Sequence, residues 1–224
     1  MTTLPPLSAQ LKRAGGSDNI RKGTSYLLSV SFAELATIFF AVILGFPLPL
    51  LAAQILWINV VAEEFPAIGL ALEPAHADIM RRKPRDPRES MPSRSLMAYT
   101  LGIAAAIVIG TLGLYTISIQ MGQNLNYART MAFVGLGFFT TYNAYSSRSL
   151  EKSVLRMNPL SNKTLLLGIA GSVLSILAVV YIPFMQSIFE TVPLTLQSWM
   201  FILVAGLPVV IATEVMKRFL PGLK

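Results

Sequence analysis

Six apolar blocks, each about as long as a bilayer is thick, constrain the fold of this chain more than any other feature. They cover residues 26–45, 50–72, 96–119, 127–145, 165–184 and 194–216. A helix needs about 20 apolar residues to cross the hydrocarbon core of a membrane. Strands are not expected, because the blocks do not alternate and an open sheet edge cannot face lipid. The pattern predicts an all-α membrane protein with six transmembrane helices.

The composition excludes several other classes of protein. Of the 224 residues, 54% are hydrophobic and only 13% are charged, which is about half the charged share of a soluble domain. A water-soluble globular domain and a disordered chain are therefore excluded. Cysteine is absent, so disulfides, thiol catalysis and cysteine-ligated metals are excluded as well. The net charge of +7 does not indicate nucleic-acid binding, because the basic residues lie between apolar blocks.

The placement of the basic residues predicts the orientation of the helices. If the N-terminus is cytoplasmic, all of the 18 lysines and arginines except Arg129 lie on the cytoplasmic side. Cytoplasmic loops of membrane proteins carry such an excess of positive charge. The sequence therefore predicts a multi-pass protein of the cell membrane, embedded in the lipid bilayer, with both termini in the cytoplasm.

Three glutamates lie at membrane depth, Glu34 in the first block and Glu63 with Glu64 in the second. A charge at the bilayer centre costs at least about 2.5–3.5 kcal/mol and normally binds an ion, a proton or a counter-charge. No lysine or arginine lies within these two blocks, and Arg129, at the start of the fourth block, is the only one within any block. The carboxylates therefore favour a site for a cation or a proton. The alternative is that they are protonated, hydrogen-bonded groups with a structural role.

The second block contains a pattern suited to a broken helix. Asn59 and Glu63 are four residues apart and share a helical face. Pro66 has no N–H, so it breaks the helix and leaves the carbonyl of Ala62 without its donor. Freed carbonyls in broken membrane helices bind cations in transporters, although a plain proline kink is the alternative. The predicted ligands are Ser31, Glu34, Asn59, Ala62, Glu63, Glu64 and Thr140, with Glu34, Asn59 and Glu63 as the metal-binding core.

Several motifs occur in a specific order, namely Asp18-Asn19-Ile20-Arg21-Lys22 before Glu34, Leu48-Pro49-Leu50 before Gln54-Ile55-Leu56-Trp57-Ile58-Asn59, Ala71-Leu72-Glu73-Pro74, Arg129-Thr130-Met131-Ala132-Phe133, and Pro193-Leu194. This order resembles membrane helices five to ten of P-type cation-transporting ATPases, closest to the calcium-pump branch. The resemblance implies a six-helix C-terminal membrane domain over residues 18–224, preceded by an unplaced polar segment at 1–17.

The resemblance also implies a function and its limits. Glu34, Asn59 and Glu63 match cation ligands of the family, whereas Glu64 replaces a glycine and Thr140 replaces a glutamate of the eighth helix. The cargo implied is Ca²⁺, with Mn²⁺ or H⁺ as alternatives, and no cofactor is expected. The sequence contains no Asp-Lys-Thr-Gly, Thr-Gly-Glu or Gly-Asp-Gly-x-Asn-Asp motif. We therefore expect a transport module that binds the rest of an ATPase through the loop 73–94, and no ATP-dependent phosphate release by this chain alone.

Two other functions remain open from the sequence. The chain could be a small stand-alone cation carrier or channel that uses Glu34, Glu63 and Glu64, although its halves show no internal repeat. It could also be a structural or regulatory membrane subunit. A split gene, a truncation and one half of a two-chain assembly all fit a transport module without its ATP-binding part.

Overall fold

The computed structural model describes residues 7–74 and 93–220, with side chains from residue 16 onward. The elements in these ranges are α1 (Leu7–Ile43), α2 (Ala52–Trp57), a π-helical segment (Ile58–Ala62), α3 (Glu64–Ala71), α4 (Arg94–Gln120), α5 (Leu125–Ser146), a 3₁₀ turn (Val154–Arg156), α6 (Lys163–Tyr181), α7 (Pro183–Phe189), α8 (Leu196–Ala205) and α9 (Leu207–Phe219). The predicted all-α class is confirmed. Most of the predicted partner loop 73–94 lies outside the described residues.

Helix α1 begins earlier than the first apolar block. It starts at Leu7, so residues 7–17, for which the sequence predicts no element, form its first turns. The ammonium group of Lys22 lies 2.7 Å from Asp18 at an i,i+4 spacing, which stabilises a helix outside its apolar part. The chain then leaves the helix at Gly45, whose φ of 75° favours glycine, and turns into the proline corner.

The second apolar block forms three consecutive pieces, α2, the π-helical segment and α3. The sequence predicts a break at Pro66, but the irregular turn lies before it. Glu63 donates its N–H to Ile58 at 2.9 Å, a spacing of five residues. Pro66 lies in the first turn of α3, where its missing N–H costs nothing. The ring clashes with the carbonyl one turn earlier, so the preceding turn widens.

Prolines also shorten the last two blocks. Pro183 disfavours helical backbone in the residue before it, and α6 ends at Tyr181 with an extended Ile182. The sixth block is interrupted at Gly206, before Pro208, and forms α8 and α9. Side-chain caps satisfy helix N–H groups at three of the other starts, including Ser93 before α4. Asn124 caps α5 and Asn162 caps α6, each through a 2.8 Å bond.

Helix α5 lies at the centre of the bundle, and most of its side chains are buried. Helices α4, α6, α8 and α9 all pack against it. Among the described residues, four helical stretches are long and apolar enough to cross a membrane, Gly16–Ile43, Arg94–Gln120, Lys163–Tyr181 and Leu196–Phe219. The chain is a multi-pass membrane protein. The second block is broken, and α5 is enclosed by protein, so these two predicted spans do not have the character of lipid-facing helices.

Two glycines bring the backbones of α3 and α6 into direct contact. A Cβ added to Gly168 would lie 2.3 Å from the carbonyl oxygen of Phe65, and one added to Gly69 would lie 2.4 Å from the Cα of Leu165. Small residues allow this close approach between membrane helices. The contact fixes the half of the second block that carries Pro66 against a straight neighbouring helix.

We expect Gly168→Ala to destabilise the folded protein by about 1–3 kcal/mol, because the added methyl group has no room and must push the two backbones apart. Gly113→Ala is the matched control, since nothing lies within 4 Å of its added Cβ. Thermal unfolding in detergent measures the difference. A midpoint for Gly168→Ala equal to that of Gly113→Ala would contradict the close contact.

Candidate cation site

A hydrogen bond between the buried Glu34 and the half-buried Asn59 joins α1 to the π-helical segment. The Oε2 of Glu34 accepts from the Nδ2 of Asn59 at 2.7 Å, and the same amide group donates to the carbonyl of Ile55 at 2.9 Å. Glu34 is only 6% exposed, and its Oε1 has no hydrogen-bond partner. It lies nine residues before Ile43, about 13 Å from the end of α1. This places a half-satisfied carboxylate well inside a helix that is long and apolar enough to cross a membrane.

Glu63 provides a second carboxylate at the end of the π-helical segment. It is 2% exposed, and its Oε1 is also buried without a partner. Its carboxylate lies within electrostatic range of Glu34 and Glu64. A buried carboxylate without partners is strongly disfavoured, so both Glu34 and Glu63 have oxygens that are available to a cation or a proton.

The widened turn adds a backbone oxygen to these carboxylates. Pro66 has no N–H to donate to the carbonyl of Ala62, and the next N–H, that of Ala67, donates to Glu63 at 3.0 Å. Ala62 itself is buried. Single π-helical turns of this kind are frequent at functional sites. The arrangement leaves the Ala62 carbonyl beside Glu63 without the donor that a regular helix would supply.

Four basic side chains in the described part of the chain form ion pairs with other acids. Within residues 7–74 and 93–220, no ion pair joins a lysine or arginine to Glu34 or Glu63. The described ion pairs are Lys22–Asp18, Arg129–Glu190, Arg148–Glu73 and Lys217–Glu214. The two buried carboxylates therefore have no counter-charge among the described residues.

The remaining predicted ligands lie in different surroundings. The side chains of Ser31 and Glu64 are exposed on the outside of the bundle. Thr140, on α5, is buried and donates its hydroxyl to the carbonyl of Gly137 at 2.9 Å. Among the described residues, no three acidic or histidine side chains form a group that could hold a metal ion. The structure therefore joins Glu34 to Asn59 and places Glu63 near them, with Ser31 and Glu64 facing outward.

Two buried hydroxyl groups near the carboxylates escape the sequence analysis. The Tyr26 hydroxyl lies beside Thr140 without a hydrogen bond of regular geometry, and within electrostatic range of Glu34 and Glu63. The Thr37 hydroxyl is buried without a partner. Thr37 lies three residues after Glu34, and this i+3 spacing could have identified it. Tyrosine is common in apolar helices, so no signal in the sequence distinguishes Tyr26.

The sequence of this chain matches a known protein family. The family described as cation transporting ATPase, C-terminus, matches residues 47–219 of the 224. The chain belongs to this family. The match includes Asn59, Glu63 and Pro66, and it confirms the resemblance inferred from the order of the sequence motifs.

Several relatives of this ATPase C-terminal region are named as calcium transporters. A calcium-transporting ATPase of Bacillus subtilis is 36% identical over 187 residues, covering 83% of this chain and 21% of the relative. Calcium-transporting ATPase 1 of Yarrowia lipolytica is 35% identical and covers 96% of this chain. The human calcium-transporting ATPase type 2C member 1 is 34% identical and covers 95%. The predicted closeness to the calcium-pump branch is confirmed.

The chain spans less than a quarter of the length of these relatives, 21% of the Bacillus protein and 23% of the other two. It corresponds to their C-terminal membrane module. The parts of those relatives that lie outside the match have no counterpart in this sequence.

Proposed function

We propose that this chain forms the cation pathway of a calcium-transporting P-type ATPase, and that Glu34, Asn59, the Ala62 carbonyl and Glu63 bind the cation. The observation that carries the proposal is the pair of buried carboxylates with unsatisfied oxygens and no basic partner. A bound cation would supply the missing positive charge.

The chemistry of the site favours a hard cation. Its donors are carboxylate, amide and carbonyl oxygens, and the chain contains no cysteine. Ca²⁺ takes six to eight oxygen ligands in flexible geometry, whereas softer metals prefer sulfur and imidazole. We propose Ca²⁺ as the cargo, supported by the names of the relatives. Four oxygen sources in this chain leave coordination positions for other groups.

The exposed side of the site supports a partner within the membrane. Glu64 and Ser31 face away from the described bundle, and a carboxylate at this depth is costly in lipid. We propose that the remaining membrane part of the ATPase covers this face and supplies the other ligands. The loop 73–94 would bind the cytoplasmic part, which would hydrolyse ATP, so this chain would have no ATPase activity by itself.

The topology proposed is six spans with both termini in the cytoplasm. The four long apolar helices would be four of these spans, and the broken second block and the enclosed α5 would be the other two. Arg129, the one basic residue expected outside, donates to the carbonyl of Leu48 at 3.0 Å and lies 3.7 Å from Glu190. The contacts of Arg129 join the proline corner to the segment after α7, which supports one common outer side for both.

We expect the Glu34→Gln/Glu63→Gln double variant to lose Ca²⁺ binding by the purified full chain. Each substitution keeps the shape of the side chain and removes the charge that holds the cation. Titration calorimetry with Ca²⁺ and Mn²⁺ at pH 6–8 would measure a fall in affinity of at least about tenfold, the usual range for altered metal sites.

The matched control for this titration is Glu190→Gln, which removes a carboxylate from an exposed position outside the site. Its affinity should equal that of the unaltered protein. Equal binding by the double variant would mean that Glu34 and Glu63 are structural, and the site proposal would be wrong.

The topology predicts opposite accessibility for two exposed loop positions. A cysteine at Gln123 should react with an impermeant maleimide on intact cells, because the turn after α4 is outside. A cysteine at Leu155 should react only after permeabilisation. The absence of natural cysteine gives a clean background. Labelling of Leu155→Cys on intact cells would contradict the orientation.

A further inference from the structure

A second polar cluster lies at the other end of α3 from the cation site, and we call it the polar latch. It consists of Asn19, Glu73, Arg148 and Asn162, which come from four separate parts of the chain. All four are buried. Glu73 belongs to the motif Ala71-Leu72-Glu73-Pro74 and begins the loop 73–94, and Arg148 is one of the basic residues expected on the cytoplasmic side.

An ion pair forms the centre of the latch. The Nη2 and Nε of Arg148 lie 3.1 and 3.2 Å from the Oε1 of Glu73. The Nδ2 of Asn162 donates to the Oε2 of Glu73 at 2.5 Å and to the carbonyl of Gly69 at 2.8 Å. The Nη1 of Arg148 also donates to the carbonyl of Asn158 at 3.1 Å. Both oxygens of Glu73 are therefore bonded, and the pair is held to the connection between α5 and α6.

Asn19 extends the latch to α1. Its Nδ2 donates to the carbonyls of Ala71 and Glu73, at 3.0 and 2.9 Å. These carbonyls lie at the end of α3, where no helical N–H is available to them. Its Oδ1 faces the ammonium group of Lys22 at 3.4 Å. The latch thus ties the end of α3 to α1 on one side and to α5 and α6 on the other.

The latch and the cation site together pin two antiparallel segments at two points. Fifteen residues of α1 separate Asn19 from Glu34, about 22 Å of helix. Fourteen residues of the second segment separate Asn59 from Glu73, a nearly equal number. Asn59 meets Glu34 at one point and Asn19 meets Glu73 at the other. The two spacings match, so sliding one segment by a single residue would break both contacts.

We propose that the polar latch sets the register between α1 and the second membrane segment, and so positions Glu34 against Asn59 and Glu63. Glu73 and Arg148 are positioning residues, since they act on the ligands through α3 and α1. The effect on cation affinity rests on the function proposed above, whereas the effect on register does not. The pair is completely enclosed, with Arg148 0% and Glu73 4% exposed, so water cannot replace a lost partner.

The register is tested by a distance between spin labels on the full chain. The labels would be attached to cysteines that replace Ile43 and Ile68. These two residues are 63% and 53% exposed and lie outside the latch and the site. The helix rise puts them on the order of 25 Å apart, within range of pulsed dipolar spectroscopy. We expect one narrow distance distribution in the unaltered protein. Glu73→Gln, which keeps the shape but removes the charge that holds Arg148, should broaden or shift it.

Two further variants separate the latch from a general loss of folding. Asn19→Ala removes the bonds to α1 and leaves the ion pair intact, and it should shift the same distance. Glu190→Gln alters the exposed ion pair with Arg129 and should leave the distance unchanged. Titration with Ca²⁺ on the same samples should show a fall in affinity of about tenfold or more for Glu73→Gln and Asn19→Ala, and none for Glu190→Gln.

The outcomes distinguish this proposal from the proposed function. A distance unchanged in both Glu73→Gln and Asn19→Ala would overturn the latch. A changed distance with an unchanged affinity would overturn its positioning role. If the unaltered protein binds no cation but the variants change the distance, the proposed function fails and the control of register by the latch stands.

Discussion

The burial of Glu34 and Glu63 without a basic partner is the constraint around which the other features of this structure are arranged. Two carboxylates in a low-dielectric interior are costly, and nothing in the described part of the chain neutralises them. One hydrogen bond, from Asn59 to Glu34, satisfies one oxygen of the pair. A cation or a proton bound at the site would lower the cost of burying these groups. A cation that takes oxygen ligands would do so directly.

A site of this kind needs rigid support, because its own contacts are few. The close contact of Gly168 with Phe65 holds the segment after Glu63 against α6. The enclosed α5 supports α6 from inside the bundle, and the latch holds the far end of α3. The irregular turn at residues 58–62 is thus fixed on both sides by regular helices. The surrounding packing therefore determines where the two ends of the irregular turn lie.

The sequence predicts the general arrangement of this protein well and its local geometry less well. Block length gives the helices, and the unpaired acids identify Glu34 and Glu63, because charge at membrane depth is rare for a physical reason. The position of the irregular turn is not predicted, since the clash of the Pro66 ring acts on the preceding turn. The outward orientation of Ser31 and Glu64 depends on how α1 and α3 pack. The latch joins residues far apart in the chain, such as Glu73 and Arg148, which no local pattern indicates.

The two residues that depart from the family pattern lie on different sides of the site. Thr140 occupies the position that corresponds to a glutamate of the eighth helix in the family. It is enclosed, and its hydroxyl donates to the carbonyl of Gly137. Glu64 occupies the position that corresponds to a glycine in the family, and it is exposed on the outside of the bundle. Compared with the family pattern, this chain has one acid fewer on the enclosed side of the site and one more on the open side. A cation held by Glu34 and Glu63 would consequently be attracted toward the face where Glu64 lies. This is the face that we assign to the remaining membrane part of the ATPase, so the ligands added by that part would complete the site on its more negative side.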